Sequence, residues 1–167
     1  GEKHGTNTDA YRFSSSLASS GFSYKRALVL GEGGSTRAIL YALEADGWEI
    51  SLWNRTQSKA ASLLQVFGFK ASILDTPEAY EQDLIVNTTS ASLSGDRLPI
   101  DWSQANSDAL AYDLAYGHSL TPFLSDAASF GLETMDGRRM LMEQGAAAFE
   151  FWWSRTAPRD EMMAALQ

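Results

Sequence analysis

Short apolar runs alternate with segments of helical periodicity along this 167-residue chain. The apolar runs predict strands over 25–31, 48–53, 69–73, 83–87, 109–113 and 132–135. The periodic segments predict helices over 10–20, 35–46, 57–67, 122–130 and 138–154, a short terminal helix after Pro158, and a loop over 90–108. Strands that alternate with helices are typical of a doubly wound parallel sheet. We therefore predict an α/β fold with helices on both faces of the sheet.

A glycine-rich turn joins the first predicted strand to the helix that follows, with the sequence Gly31-Glu32-Gly33-Gly34-Ser35. Glycines let the backbone approach a pyrophosphate, and the N-terminus of a helix offers unpaired N–H groups and the positive end of its dipole. The turn is therefore a candidate phosphate site. A plain turn between a strand and a helix is the alternative.

The second predicted strand ends in Asn54-Arg55-Thr56, and Lys59 follows one turn into the next helix. In NAD-binding units, an acidic residue about twenty residues after the glycines holds the ribose 2′-hydroxyl. Here a guanidinium takes that place, and it can pair with a 2′-phosphate through two hydrogen bonds. We interpret the pattern as an NADP site. The alternative is a solvated arginine beside a helix N-cap.

Two later strand ends also carry polar groups. The fourth predicted strand ends in Asn87-Thr88-Thr89-Ser90, and the fifth is followed by Tyr116. Because ligands of open α/β sheets bind at the carboxyl edge, these groups can contact a cofactor. Two alternatives stay open: a turn built from Asx and Ser/Thr motifs, and a Tyr116 ring buried in the core.

The long helix over 138–154 has one polar residue, Gln144, in an otherwise apolar stripe. We expect this stripe to be buried, so that the amide needs hydrogen-bond partners. The partners can be backbone groups at a helix crossing, or a substrate in a pocket. The stripe comprises Met140, Leu141, Gln144, Ala147, Ala148 and Phe151.

Composition narrows the class of protein. A hydrophobic content of 44% is ordinary for a globular domain, and a net charge of −8 argues against nucleic-acid binding. Cysteine is absent and only two histidines are present, so we predict neither disulfides nor a metal site. No apolar run is long enough to span a membrane, and the start is not signal-like. We expect a cytoplasmic metabolic protein.

Six motifs in order resemble those of shikimate dehydrogenase, specifically its C-terminal nucleotide domain and the end of its substrate domain. They are Gly5-Thr6-Asn7-Thr8-Asp9, Gly31-Glu32-Gly33-Gly34-Ser35-Thr36-Arg37-Ala38, Asn54-Arg55-Thr56, Asn87-Thr88-Thr89, Tyr112-Asp113-Leu114-Ala115-Tyr116, and Asp136-Gly137 with Met140-Leu141 and Gln144.

The resemblance implies a Rossmann-like domain and the reversible, NADP-dependent reduction of 3-dehydroshikimate to shikimate. It implies that Asp9 is catalytic, binding a substrate hydroxyl beside a catalytic lysine. Substrate contacts would come from Asn7, Thr8, Asp9, Tyr116 and Gln144. Cofactor contacts would come from Gly31, Glu32, Gly33, Gly34, Ser35, Asn54, Arg55, Thr56, Lys59, Thr88, Leu114, Gly137 and Met140.

In the family, the catalytic lysine lies upstream of the motif that matches Asn7-Thr8-Asp9, and this chain has no such region. We therefore expect residues 1–20 to be the tail of a substrate domain and residues 21–167 the NADP-binding domain, whose C-terminal helices pack back toward the substrate domain. The chain alone is expected to be inactive, as a monomer or homodimer. Glu32 replaces a common alanine and should weaken phosphate binding unless it points outward.

Two other interpretations stay open. One is a related enzyme, such as a quinate/shikimate dehydrogenase that uses NAD. The other is a noncatalytic nucleotide-binding module, because the same fold hosts many functions.

Overall fold

A computed structural model describes residues 8–17 and 25–166, with the side chains of Thr8 and Asp9 left out. The helices are α1 (Thr8–Leu17), α2 (Gly34–Ala45), α3 (Gln57–Phe67), α4 (Ala91–Ser94), α5 (Pro122–Ser129), α6 (Arg138–Trp153) and α7 (Arg159–Ala164). The strands are β1 (Arg26–Leu30), β2 (Glu49–Trp53), β3 (Ser72–Ile73), β4 (Leu84–Asn87), β5 (Leu110–Asp113) and β6 (Glu133–Asp136).

The six strands form one parallel sheet in the order β3-β2-β1-β4-β5-β6. The order reverses at β1, whose neighbours are β2 and β4. The registers align the strand ends: Leu30 pairs with Trp53 and Asn87, and Asn87 pairs with Asp113, which pairs with Asp136. The segments that follow these strands therefore lie side by side along one edge.

Successive residues of each strand point to opposite faces, so the sheet separates two cores. On one face Ala27, Val29 and Tyr112 pack with α1 and α2. On the other face Leu28 and Leu30 pack with α5 and Trp102. Both faces are covered, which explains why the strands are nearly continuous apolar runs. The predicted doubly wound α/β fold is confirmed.

The N-terminal helix α1 is fixed to the sheet through Tyr112, which is fully buried. The Phe13 and Tyr112 rings stack with centroids 5.3 Å apart. The hydroxyls of Ser16 and Tyr112 are hydrogen-bonded at 3.0 Å. Burial raises the pKa of Tyr112 to about 12, although the hydrogen bond with Ser16 opposes the shift. Helix α1 also packs against α2 and α6.

Element boundaries differ from the prediction by more than one residue in three places. The first helix begins at Thr8 instead of residue 10, while residues 18–20 of its predicted range lie outside the described residues. Strand β3 is only Ser72–Ile73 instead of 69–73. The predicted loop over 90–108 contains helix α4 and a 3₁₀ turn at Trp102–Gln104. Trp102 buries its ring against Phe123, with centroids 5.2 Å apart, which explains why this segment is folded.

The predicted buried stripe of α6 is wrong. Gln144, Ala148 and Phe151 are exposed, whereas Met142 and Ala146 are buried against the segment that carries α7. Apolar residues lie on most sides of this helix, so their pattern does not determine which side α7 covers. Within the described residues, no helix is long and apolar enough to cross a membrane.

Candidate functional site

A cavity of about 810 Å³ opens at the carboxyl edge of the sheet, where the strand order reverses. Predicted cofactor residues lining it come from three strand ends: Gly31, Glu32 and Gly33 after β1, Asn54 and Arg55 after β2, and Thr88 after β4. This is the position at which open α/β sheets bind their ligands. The sheet therefore brings together residues that are far apart in sequence.

The glycine turn is shaped by its close contact with β4. Gly31 has a φ of +123°, and a Cβ there would lie 2.5 Å from the Thr88 hydroxyl oxygen. A side chain is therefore excluded at this position. Gly33, the N-cap of α2, makes no side-chain capping bond, and a Cβ at Gly33 or Gly34 would meet nothing within 4 Å. Within the described residues, the space beside these two glycines at the beginning of α2 is therefore open.

Glu32 links the turn to the end of β2. Its carboxylate accepts a hydrogen bond from Asn54 Nδ2 and forms an ion pair of 2.8 Å with Lys59 Nζ. Asn54 Nδ2 also donates to the Thr56 carbonyl at 2.9 Å. Arg55 lines the cavity, is exposed, and has no ion pair with any residue that the structure describes. The guanidinium is thus available to an anion.

The hydroxyl of Thr88 is engaged by the protein. It donates to the Leu30 carbonyl at 2.7 Å and lies 2.6 Å from the hydroxyl of Thr36, a buried residue of α2. With its own hydrogen on the Leu30 carbonyl, Thr88 can only accept from other groups. It therefore fixes β4 to α2 while it lines the cavity.

Asn87 and Asp113 lie side by side at the ends of β4 and β5 and are fully buried. Asp113 Oδ1 accepts from Asn87 Nδ2 at 3.1 Å and from the Ala115 N–H at 3.1 Å. Its Oδ2 accepts from Ser92 Oγ at 2.5 Å and from Thr121 Oγ1 at 2.6 Å. This buried carboxylate is thus satisfied by four neutral donors, which join the loops after β4 and β5.

The polar cluster after β4 includes an Asx turn, as one alternative predicted. Asn87 Oδ1 accepts from the N–H of Thr89 at 2.9 Å and from its hydroxyl at 2.7 Å. Thr88, Thr89 and Ser90 nevertheless line the cavity. The turn and the cavity wall are therefore the same segment.

A second group of predicted residues lies at the ends of β5 and β6. A Cβ on Gly137 would lie 2.1 Å from the Leu114 carbonyl oxygen and 3.0 Å from the Tyr116 ring. Only glycine allows these two segments to approach so closely. Tyr116 is half exposed, so the alternative of a core ring is wrong. Met140 is half-buried on the first turn of α6.

The remaining predicted residues differ in how the structure describes them. Gly34, Ser35 and Thr56 are exposed at the beginnings of α2 and α3. Thr8 and Asp9 begin α1, but their side chains are not described, and Asn7 lies outside the described residues.

The far wall of the cavity was not predicted. It comprises Ala91, Ser94, Asp96, Arg97, Leu98 and Pro99, and Trp53 adds an aromatic ring. Arg97 pairs with Asp126, and Asp96 Oδ2 accepts from Ser94 at 2.8 Å. The segment has neither helical nor strand periodicity. The sequence of this segment predicted only a loop.

The strand order and the glycine turn are those of Rossmann-type α/β proteins. Residues 137–167 match the family described as "Shikimate 5'-dehydrogenase C-terminal domain". A shikimate dehydrogenase (NADP(+)) from Bartonella tribocorum is 42% identical over 89% of this chain and 55% of its own length.

Crystal structures agree with these matches. The shikimate dehydrogenase from Aquifex aeolicus has a TM-score of 0.82 and 34% identity over 96% of this chain and 61% of its own. The enzyme from Thermus thermophilus, in complex with NADP(H) and shikimate, has a TM-score of 0.79 and 38% identity over 95% of this chain and 61% of its own. The resemblance to shikimate dehydrogenase is confirmed, and the chain spans about half the length of the curated relatives it matches.

Proposed function

We propose that the chain is the NADP-binding part of a shikimate dehydrogenase, which reversibly reduces 3-dehydroshikimate to shikimate. The observation that carries this proposal is Arg55, which lines a cavity shared with the glycine turn and has no ion pair within the described residues. The relatives named above support it, because they are NADP-dependent or bind NADP(H) and shikimate.

At the adenosine end, the 2′-phosphate would be held chiefly by Arg55 and the Thr56 hydroxyl. Asn54 and Lys59 would lie beside it, although the Glu32 carboxylate engages both of them in the free chain. A guanidinium binds phosphate through two parallel hydrogen bonds, which a ribose hydroxyl cannot match. Because Arg55 has no carboxylate partner within the described chain, binding the phosphate breaks no ion pair of this residue. The discrimination between NADP and NAD would rest chiefly on this contact.

The pyrophosphate would lie over the glycine turn, against the first N–H groups of α2. Open space at Gly33 and Gly34 supports this position, because a side chain at either residue would fill it. Ser35 would add a hydroxyl. The positive end of the α2 dipole favours a negative charge here, and the N-cap residue, Gly33, makes no side-chain capping bond.

The nicotinamide would lie toward Thr88, Leu114, Gly137 and Met140. The close approach of Gly137 to the Leu114 carbonyl supports this position, because the two segments that would contact the nicotinamide ring lie against each other there. NADPH would supply the hydride when bound. The protein would then position the substrate and provide a proton for its carbonyl oxygen.

The substrate would be held by Asn7, Thr8, Asp9, Tyr116 and Gln144. Asp9 would bind a substrate hydroxyl and work beside a lysine in proton transfer. The packing of α1 against α6 supports this grouping, since it joins the helix that begins at Thr8 to the one that carries Gln144. The exposure of Gln144 leaves its amide accessible to a ligand.

Residues 1–20 would belong to a substrate domain and residues 21–167 to the nucleotide domain. The exposed end of α6 supports a further contact, because Phe151, Trp152 and Trp153 are each more than two-thirds exposed. Exposed apolar groups of this size mark interaction sites. The lysine and the remaining substrate contacts would lie on the part of the relatives that this chain does not cover.

Calorimetric titration of the chain with NADP and with NAD tests the cofactor assignment. We expect NADP to bind more tightly, and Arg55→Ala to weaken NADP binding by about tenfold, the scale of one charge-assisted contact, with little effect on NAD. Arg155→Ala is the matched control, because it removes the same charge from an exposed position after α6. Equal affinities for the two nucleotides, or no effect of Arg55→Ala, would contradict the assignment.

The substrate assignment is tested in the protein that also carries the substrate domain. Asp9→Asn should sharply lower the rate of shikimate oxidation while the NADP Kd stays nearly constant. Turnover close to that of the unchanged enzyme would exclude the proposed role of Asp9.

A further inference from the structure

The carboxylate of Glu32 occupies the groups that would otherwise receive a phosphate at the end of β2. Its Oε1 is 2.8 Å from Lys59 Nζ, and its Oε2 accepts from Asn54 Nδ2. Asn54 gives its other amide hydrogen to the Thr56 carbonyl at 2.9 Å. Both donors of Asn54 and the ammonium of Lys59 are thus engaged before any ligand binds.

Glu32 lies in a more enclosed position than the lysine with which it pairs. It is the second residue of the glycine turn and its side chain is 28% exposed, whereas that of Lys59 is 63% exposed. The protein therefore encloses the carboxylate of Glu32 more than it encloses the ammonium of Lys59. Arg55, the neighbouring cation in the cavity, has no such partner within the described chain.

We propose that Glu32 is a specificity-determining residue that competes with the 2′-phosphate of NADP for Lys59 and Asn54. The proposal rests on the cofactor assignment above and deepens it. A 2′-phosphate that reaches Lys59 must displace this carboxylate or lie beside it, and like charges repel. NAD has a hydroxyl at this position, which can donate to the carboxylate instead. Glu32 therefore narrows the preference for NADP over NAD.

Removing the charge should strengthen NADP binding selectively. For Glu32→Gln we expect the NADP Kd to fall about tenfold, because one charge-assisted contact is gained and one repulsion is lost. The NAD Kd should stay constant or rise. Glu133→Gln is the matched control, since it makes the same charge change at the exposed start of β6. This position is at the amino end of its strand, whereas the cavity lies at the carboxyl edge.

A second variant separates competition for Lys59 from simple repulsion. If Glu32 holds Lys59, then Lys59→Met should change the NADP Kd less than about twofold in the unchanged chain, as for an exposed ion pair. In the Glu32→Gln background the same substitution should remove most of the gain. Glu32→Ala should reproduce the gain and its dependence on Lys59.

Calorimetric titrations of these variants with NADP and NAD distinguish the outcomes. An NADP Kd that is unchanged or higher in Glu32→Gln overturns the role of Glu32 and leaves the cofactor assignment intact. An equal gain with and without Lys59 overturns the competition for Lys59. A chain that binds neither nucleotide overturns the role of Glu32 together with the cofactor assignment.

Discussion

Asp113 gives the sharpest prediction about what holds the site together. Its buried carboxylate accepts four hydrogen bonds, and among the described residues it has no cationic partner. Replacing it with alanine leaves Asn87 a second partner, because Asn87 Nδ2 also donates to Ser92 Oγ at 3.0 Å. The hydrogens of Ser92, Thr121 and the Ala115 N–H lose their acceptor.

The cost follows from those three donors. Each of these buried or partly buried donors left without a partner costs about 1–2 kcal/mol, so Asp113→Ala should lower the free energy of unfolding by about 3–6 kcal/mol. Ser92→Ala, which removes a single donor, is the matched control and should cost about 1–2 kcal/mol. Asp113→Asn keeps the size and part of the hydrogen bonding, and it should fall between the two.

Urea unfolding followed by far-ultraviolet circular dichroism measures these differences, provided that the denaturant dependence m stays constant. A loss below about 1 kcal/mol for Asp113→Ala would refute the reasoning, since it is smaller than one unpaired buried donor. So would a loss no larger than that of Ser92→Ala. Either result would mean that water reaches these donors in the folded chain.

Two further substitutions test other parts of the structure. Because burial raises the pKa of Tyr112 to about 12, its protonated form stabilises the fold fully below its ordinary pKa of about 10, and this contribution is lost as pH rises toward the folded-state pKa. Tyr112→Phe removes this titrating group and the hydrogen bond with Ser16. In urea unfolding, its free energy of unfolding should therefore fall less between pH 10 and about 12 than that of the unchanged chain. Equal losses in the two proteins would contradict this expectation. Gly137→Ala should cost about 2 kcal/mol by overpacking, since its Cβ would lie 2.1 Å from the Leu114 carbonyl oxygen. Gly117→Ala is the control and should hardly change the Tm, because a Cβ there would lie 3.9 Å from its nearest atom, the Ser119 carbonyl oxygen. Equal shifts in Tm for Gly137→Ala and Gly117→Ala would refute the clash at Gly137.

The sheet and the glycine turn could be predicted because their signals are local. Each strand is a short apolar run. Because both faces of the sheet are covered, the strands could be recognised without deciding which of their residues face solvent. Gly31 and Arg55 follow directly after such runs. Once the strands are parallel, their ends must meet at one edge.

Other features depend on contacts between distant segments. The buried side of α6 is set by α7, and apolar residues lie on most sides of this helix, so the pattern does not single out the side that is buried. The carboxylate of Asp113 is satisfied by Ser92 and Thr121, which no spacing rule connects to it. The ion pair between Glu32 and Lys59 likewise joins the glycine turn to α3, and the two come together only in the folded sheet.

The crystal structure of the chain with NADP tests the central claim most directly. We expect the pyrophosphate over Gly33 and Gly34, and the 2′-phosphate within hydrogen-bond distance of the Arg55 guanidinium. Electron density that places the adenosine ribose away from the end of β2, or an Arg55 turned toward a carboxylate instead of the phosphate, would contradict the account.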